Sequence, residues 1–182
     1  MRRPRVRLAA IVAFALLAAG LGFLATRPVQ QGATPVDSPL IGTVAPGVVA
    51  QTLSGDRVSL ATLRGRVVVL SFFASWCGPC RQEAPNLVAF AWHAHVTRSR
   101  TDLLGVIYND SPSAAGAFAR ADGLTYPILE DPSGTIANDF GVVALPVTIV
   151  IDARGVVTEV LQGAATTPQL VAAANQAMRK SA

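Results

Sequence analysis

Cysteine and charge are both scarce in this chain: two cysteines in 182 residues, and only 14% Asp, Glu, Lys and Arg. Two cysteines cannot staple a fold at several points, so a disulfide-framework miniprotein is excluded. The mean hydropathy of +0.44 excludes a disordered chain. A basic domain is missing as well. Of fifteen basic residues, five (Arg2, Arg3, Arg5, Arg7 and Arg27) lie in the first 27 positions, leaving ten against eleven acidic ones, a net −1. The formal charge of +4 and the isoelectric point near 9.8 therefore describe the N-terminal segment. No nucleic-acid footprint remains to be explained.

The excess of apolar residues sits at the front. From Leu8 to Ala25 all eighteen residues are apolar or Gly. As a helix this run spans about 27 Å, close to the roughly 30 Å hydrocarbon core of a bilayer. Four arginines precede it, so the positive-inside rule keeps the N-terminus in the cytoplasm and sends the rest across. Ala18-Ala19-Gly20 resembles a signal-peptidase site, but the apolar part of a cleaved signal is shorter, about 7 to 15 residues. Residues 1–26 are accordingly expected to be an uncleaved signal anchor, a single transmembrane helix. Residues 27–39, with three prolines and no apolar period, read as a linker. Residues 40–182 are long enough to bury one core and show neither internal repeat nor low-complexity tract.

Within that domain, Val48–Gln51 and Arg57–Leu60 flank a Gly-containing turn and predict a hairpin. Arg66–Phe73 and Leu103–Tyr108 are continuous apolar runs, as expected of strands covered on both faces. Helical spacing appears over Pro79–His95, Ser113–Ala121, Ser133–Phe140 and Thr167–Lys180. Val147–Ile151 and Val156–Leu161 flank Asp152–Gly155 as a second hairpin. The order predicts an α/β fold, a mixed central sheet with helices on both faces.

The chemistry-bearing pattern is Trp76-Cys77-Gly78-Pro79-Cys80, where the strand ends and a helix begins. A cysteine at a helix N-terminus has its thiolate favoured by free N–H groups and by the helix dipole. A second cysteine one turn on can attack a mixed disulfide formed on the first. Pro79 fits the first turn, where its missing N–H costs nothing. A purely structural disulfide over so short a loop would constrain the unfolded chain little. Zinc is the other alternative. Cys77-x2-Cys80 followed by His93 opens like a zinc finger, but His95 follows too soon for the next ligand. No metal or other cofactor is expected.

WCGPC after a β-branched strand resembles the thioredoxin active site. The longer stretch from Ser71 to Pro85 resembles the membrane-tethered TlpA/ResA/CcmG (DsbE-like) branch, matching its WCxxCxxExP pattern through Glu83 and Pro85. The similarity covers about residues 39–175. It implies a thioredoxin-like fold with an N-terminal hairpin and an extra helix and strand, the latter fitting the 66 positions from Cys80 to Pro146. It also implies a redox-active Cys77–Cys80 disulfide, with Cys77 as nucleophile and Cys80 as resolving thiol. Pro146 would be a cis-proline that presents the Leu145 backbone to an extended substrate, with Trp76 beside it. Glu83, one turn after Cys80, would exchange a proton with it. Thioredoxin keeps a buried aspartate six positions before its first active-site cysteine; here Ser71 stands there, so another acceptor is needed.

The resemblance further implies an extracytoplasmic reductase of apocytochrome c, re-reduced by a transmembrane thiol donor. The alternatives are a general disulfide oxidase for secreted proteins and a copper chaperone using Cys77, Cys80 and a histidine. Glu130 and Asp131 read as a solvated turn before Pro132. Arg81, the nearest cation in sequence, is not expected to reach the Cys77 thiolate.

Overall fold

The computed structural model describes residues 32–181. The expected anchor (residues 1–26) and the start of the linker lie outside them. Among the described residues no helix is long and apolar enough to cross a membrane.

Strand β4 (Val67–Phe73) organises the molecule. All seven of its residues are buried, and because side chains alternate along a strand they feed two different cores. Val67, Val69 and Phe73 join one apolar cluster; Val68, Leu70 and Phe72 join another on the opposite face. Strand β5 (Thr101–Ile107) runs parallel to β4, and β6 (Ile128–Leu129) parallel to β5. On the other side β7 (Val147–Ile151) and β8 (Val157–Gln162) continue the sheet antiparallel. Parallel neighbours need long crossovers, and helices supply them.

Helix α1 (Gly78–Val96) links β4 to β5, and α2 (Pro112–Ala121) links β5 to β6. Next come α3 (Thr135–Asp139), before β7, and α4 (Thr167–Ser181), after β8. Leu87 and Phe90 of α1, Phe118 of α2 and Leu170 of α4 pack into the first cluster, and Ile136 of α3 into the second. Helices therefore cover both faces. Each large side chain buried this way stabilises the fold by about 1.5–3 kcal/mol. A separate hairpin of β2 (Val49–Gln51) and β3 (Arg57–Ser59) precedes β4 in the chain, and α2 with β6 lies between β5 and α3.

Residues 34–36, which the sequence places in a linker, behave differently. Strand β1 (Thr34–Pro35) pairs with β8, Thr34 opposite Gln162, and the order becomes β1-β8-β7-β4-β5-β6. Val36 N–H donates to Val160 O at 3.0 Å. Gln169 of α4 clamps Ala33 by accepting from its N–H at 3.2 Å and donating to its C=O at 2.8 Å. A β8 left open would present unpaired backbone groups, and a short Pro-containing segment is tolerated at a sheet edge.

Candidate active site

Helix α1 begins where β4 delivers it, and Cys77 is its N-cap: the Cys77 sulfur accepts from Cys80 N–H at 3.1 Å. Cys77 and Cys80 are joined by a disulfide, with Cα atoms 5.3 Å apart. Both are buried. The preceding loop is held from the β5–α2 connection. Ser75 N–H donates to Asp110 Oδ2 at 2.7 Å, and Trp76 Nε1–H donates to the Asn109 carbonyl at 3.2 Å. The Trp76 ring itself is 60% exposed, so this large apolar surface stands beside the disulfide in contact with solvent. A cleft of about 640 Å³ opens next to this loop, with Tyr108, Asn109, Asp110 and Ser111 on one wall and Pro132 and Asn138 on the other.

The Leu145–Pro146 peptide bond is cis. Leu145, partly buried, packs against the cluster that contains both cysteines. The Pro146 carbonyl is occupied, accepting from Gly163 N–H at 2.9 Å and from Gln162 Nε2 at 3.2 Å.

Glu83 is wholly buried on the inner face of α1. One carboxylate oxygen accepts from Ala165 N–H at 2.9 Å. The Thr148 hydroxyl lies close enough to lower the carboxyl's pKa, yet it does not close a hydrogen bond with the second oxygen. Burial outweighs both and pushes the pKa from 4.5 up to about 7. A carboxyl poised there can hold a proton or release it near neutral pH.

Other residues fall away from the cysteines. Arg81 pairs with Asp122 at 2.6 Å and lies over the Phe118 ring, 4.8 Å from its centre. His93 and His95 are exposed near the end of α1, and His95 stacks on Trp92. Thirteen helical steps separate His93 from Cys80, about 20 Å. Asp131 corrects the expectation of a solvated turn: it is buried, and its carboxylate accepts from Ile136 and Ala137 N–H at 3.1 and 2.9 Å, capping α3. Sequence reasoning also missed Asp110 and Thr148, since neither belongs to a motif around the cysteines; only the register of loops and strands brings them in.

Comparisons with known proteins agree with this geometry. The thioredoxin-like protein YneN of Bacillus subtilis is 35% identical over 135 residues, covering 71% of this chain and 75% of the relative. The thiol-disulfide oxidoreductase ResA of Geobacillus thermodenitrificans is 32% identical over 126 residues, 69% of this chain and 71% of the relative. Among solved structures, a DsbF homologue from Corynebacterium diphtheriae superposes with a TM-score of 0.66 at 27% identity, covering 82% of this chain and 95% of its own. Residues 41–160 match the AhpC/TSA family. With a Cys-x-x-Cys disulfide capping the helix after the central strand, the chain belongs to the thioredoxin-like AhpC/TSA family.

Proposed function

We propose that the protein is an extracytoplasmic protein-disulfide reductase, held to the membrane by its N-terminal segment, whose clients are the haem-attachment cysteines of apocytochrome c. The observation that carries the redox reading is the Cys77–Cys80 disulfide at the N-terminus of α1 with an ionisable Glu83 buried one turn beyond. Its relative ResA is a thiol-disulfide oxidoreductase.

In the reduced protein the Cys77 thiolate attacks one sulfur of a client disulfide, whose other sulfur leaves as thiolate and takes a proton. Cys80, losing its proton to Glu83, then attacks the Cys77 sulfur. The second client thiol departs, and the Cys77–Cys80 bond closes. The client gains two electrons from the protein and two protons, one passed on from Glu83 and one from the solvent that took the Cys77 proton when its thiolate formed. A membrane donor of two electrons restores the dithiol. Pro146 presents the Leu145 backbone as an edge on which an extended client peptide pairs, and Trp76 offers apolar surface beside it. The separation of both histidines from the cysteines favours this reading over a copper chaperone.

Trapping tests the client. A Cys80→Ser variant cannot resolve, so mixed disulfides on Cys77 accumulate in cells and their partners can be identified after diagonal electrophoresis. Apocytochrome c among them supports the proposal; a broad set of secreted proteins without it supports the general oxidase instead. Reporter fusions after residue 31 test the topology: alkaline phosphatase should be active and a cytoplasmic reporter silent.

A further inference from the structure

Among the described residues, six buried side-chain oxygens have no protein hydrogen-bond partner: Ser99 Oγ and Thr101 Oγ1 lie near the end of α1, and the other four are Ser71 Oγ, Glu83 Oε2, Thr148 Oγ1 and the Tyr126 hydroxyl. Sheet register explains their meeting. Ser71 on β4 stands opposite Thr148 on β7 and opposite Gly105 on β5, so the three positions form one row across the sheet and share one face. Gly105 leaves its place in that row empty, and Tyr126 leans into it: a methyl group on Gly105 would lie 3.3 Å from Tyr126 Cε2. Glu83 descends on the row from α1. Its charge acts on Tyr126, helping burial to raise the phenol's pKa.

Buried polar groups in folded proteins are nearly always hydrogen-bonded. Groups held just beyond direct reach of one another are joined by buried water, which makes about three hydrogen bonds in such sites. Hydroxyls suit the task because each can rotate to donate to a carboxylate or to accept from a protonated carboxyl.

We propose that Ser71, Thr148 and Tyr126 are positioning residues for Glu83: their hydroxyls and a bridging water form a hydrogen-bonded row that solvates its second carboxylate oxygen and decides how readily that carboxyl releases its proton. Where thioredoxin carries its acid on the strand, this chain carries hydroxyls there and places the acid on the helix. The surroundings leave few competitors. On α1 the neighbours are Cys77 and Cys80, which titrate only when reduced and are joined in the disulfide form; β4 and β7 contribute Ser71 and Thr148, and the segment before β6 contributes Tyr126. From the α4 side comes the Ala165 N–H, while the basic residues of α4, Arg179 and Lys180, lie in its last turn. The inference deepens the role given to Glu83 above, but its test reads the carboxyl itself and not electron transfer.

The chain has three glutamates, Glu83, Glu130 and Glu159. Carbon-13 labelling of glutamate carboxyls in the full chain, disulfide form, yields three titrating NMR signals, and loss of one in Glu83→Gln identifies Glu83. Removing a donor to the charged form favours the neutral form. Ser71→Ala, Thr148→Val and Tyr126→Phe should therefore each raise the Glu83 midpoint by about half a pH unit or more, at least a threefold change in proton affinity. Thr148→Ser should leave it in place. Midpoints within about 0.2 unit of wild type in the three oxygen-deleting variants would overturn the proposal. So would an equal shift in Thr148→Ser and Thr148→Val, which would assign the effect to packing. Ser71→Ala and Tyr126→Phe remove only an oxygen, so the test stands even if Thr148→Val fails to fold. Loss of the reductase reading would leave these midpoints where they are.

Discussion

The Glu83 carboxylate accepts a hydrogen bond from the Ala165 backbone N–H at 2.9 Å, across 82 positions of sequence. The contact ties the active-site helix to the segment that leads from β8 into α4, and it takes the carboxyl out of water. One N–H cannot replace a hydration shell, which is why burial dominates and the pKa rises to about 7.

That shift makes stability depend on pH. Below about 4.5 both the folded and the unfolded chain hold the Glu83 proton; between 4.5 and about 7 only the folded chain does. Stability contributed by this group is therefore greatest on the acid side and is lost as pH rises through about 7, by roughly 3 kcal/mol in total. Urea denaturation of the oxidised protein at pH 5 and pH 8 should show most of that decline. Glu83→Gln should remove it, and a variant with the same pH dependence as wild type would assign the decline to another group.

Gly105 sits where its neighbours leave no room. A methyl group there would meet Phe73 Cε1 at 3.0 Å and Ile128 Cγ1 at 3.1 Å, both fixed in the core. Gly105→Ala should cost about 1–3 kcal/mol through overpacking. Equilibrium denaturation checks it, and an unchanged midpoint would mean that β5 and β6 can separate more easily than their packing implies.

Asp110 anchors the loop that carries Trp76 and leads into Cys77. Asp110→Ala leaves Ser75 N–H without its carboxylate partner; since the site is only half-buried, the loss should be about 1.5 kcal/mol, the low end for a hydrogen bond to a charge. The looser loop should also change Trp76 fluorescence, measured in a Trp92→Phe background. Identical emission and stability would show that the Trp76 contact with Asn109 suffices alone.

The direction of electron flow follows from what stabilises the Cys77 thiolate. Its support is the helix N-terminus, because the guanidinium of Arg81 is engaged by Asp122 and Phe118. That support should lower the thiol's pKa only moderately, and the reduction potential should lie on the negative side of about −200 mV, nearer thioredoxin than the oxidant DsbA. Equilibration with glutathione and dithiothreitol buffers measures it. A potential near about −120 mV would make the oxidase reading the better one.

Much was legible before folding because it is local. The continuous apolar run of β4 announces a strand buried on both sides, and the position of Cys77 at its end, one turn before Cys80, states the redox chemistry of the pair. The hairpin Val147–Gln162 and the spacing of α4 are readable for the same reason: periodicity and turn residues act over a few positions. Residues 34–36 were not readable as a strand, since Thr34 and Pro35 carry no pattern of their own and order only because β8 offers an open edge. Asp131 looked like part of a solvated turn because, although helical spacing was readable just beyond it, nothing local shows that α3, starting four residues on at Thr135, turns its N–H groups back to it.

From the sequence alone came the two sulfurs, their spacing, the helix that starts between them and the glutamate one turn later. What only the tertiary structure decided is the state of that glutamate. Its place in the first turns of α1 suits a solvated, charged carboxylate equally well. Packing of α1 against β5 and the start of α4, with α4 laid over β4 and β7, excludes bulk water from it, leaves it a single backbone donor, and sets hydroxyls from β4, β7 and the segment before β6 near it. Desolvation depends on every element that closes over a group, and those elements are far apart in sequence, so the proton affinity of Glu83 is a property of the fold.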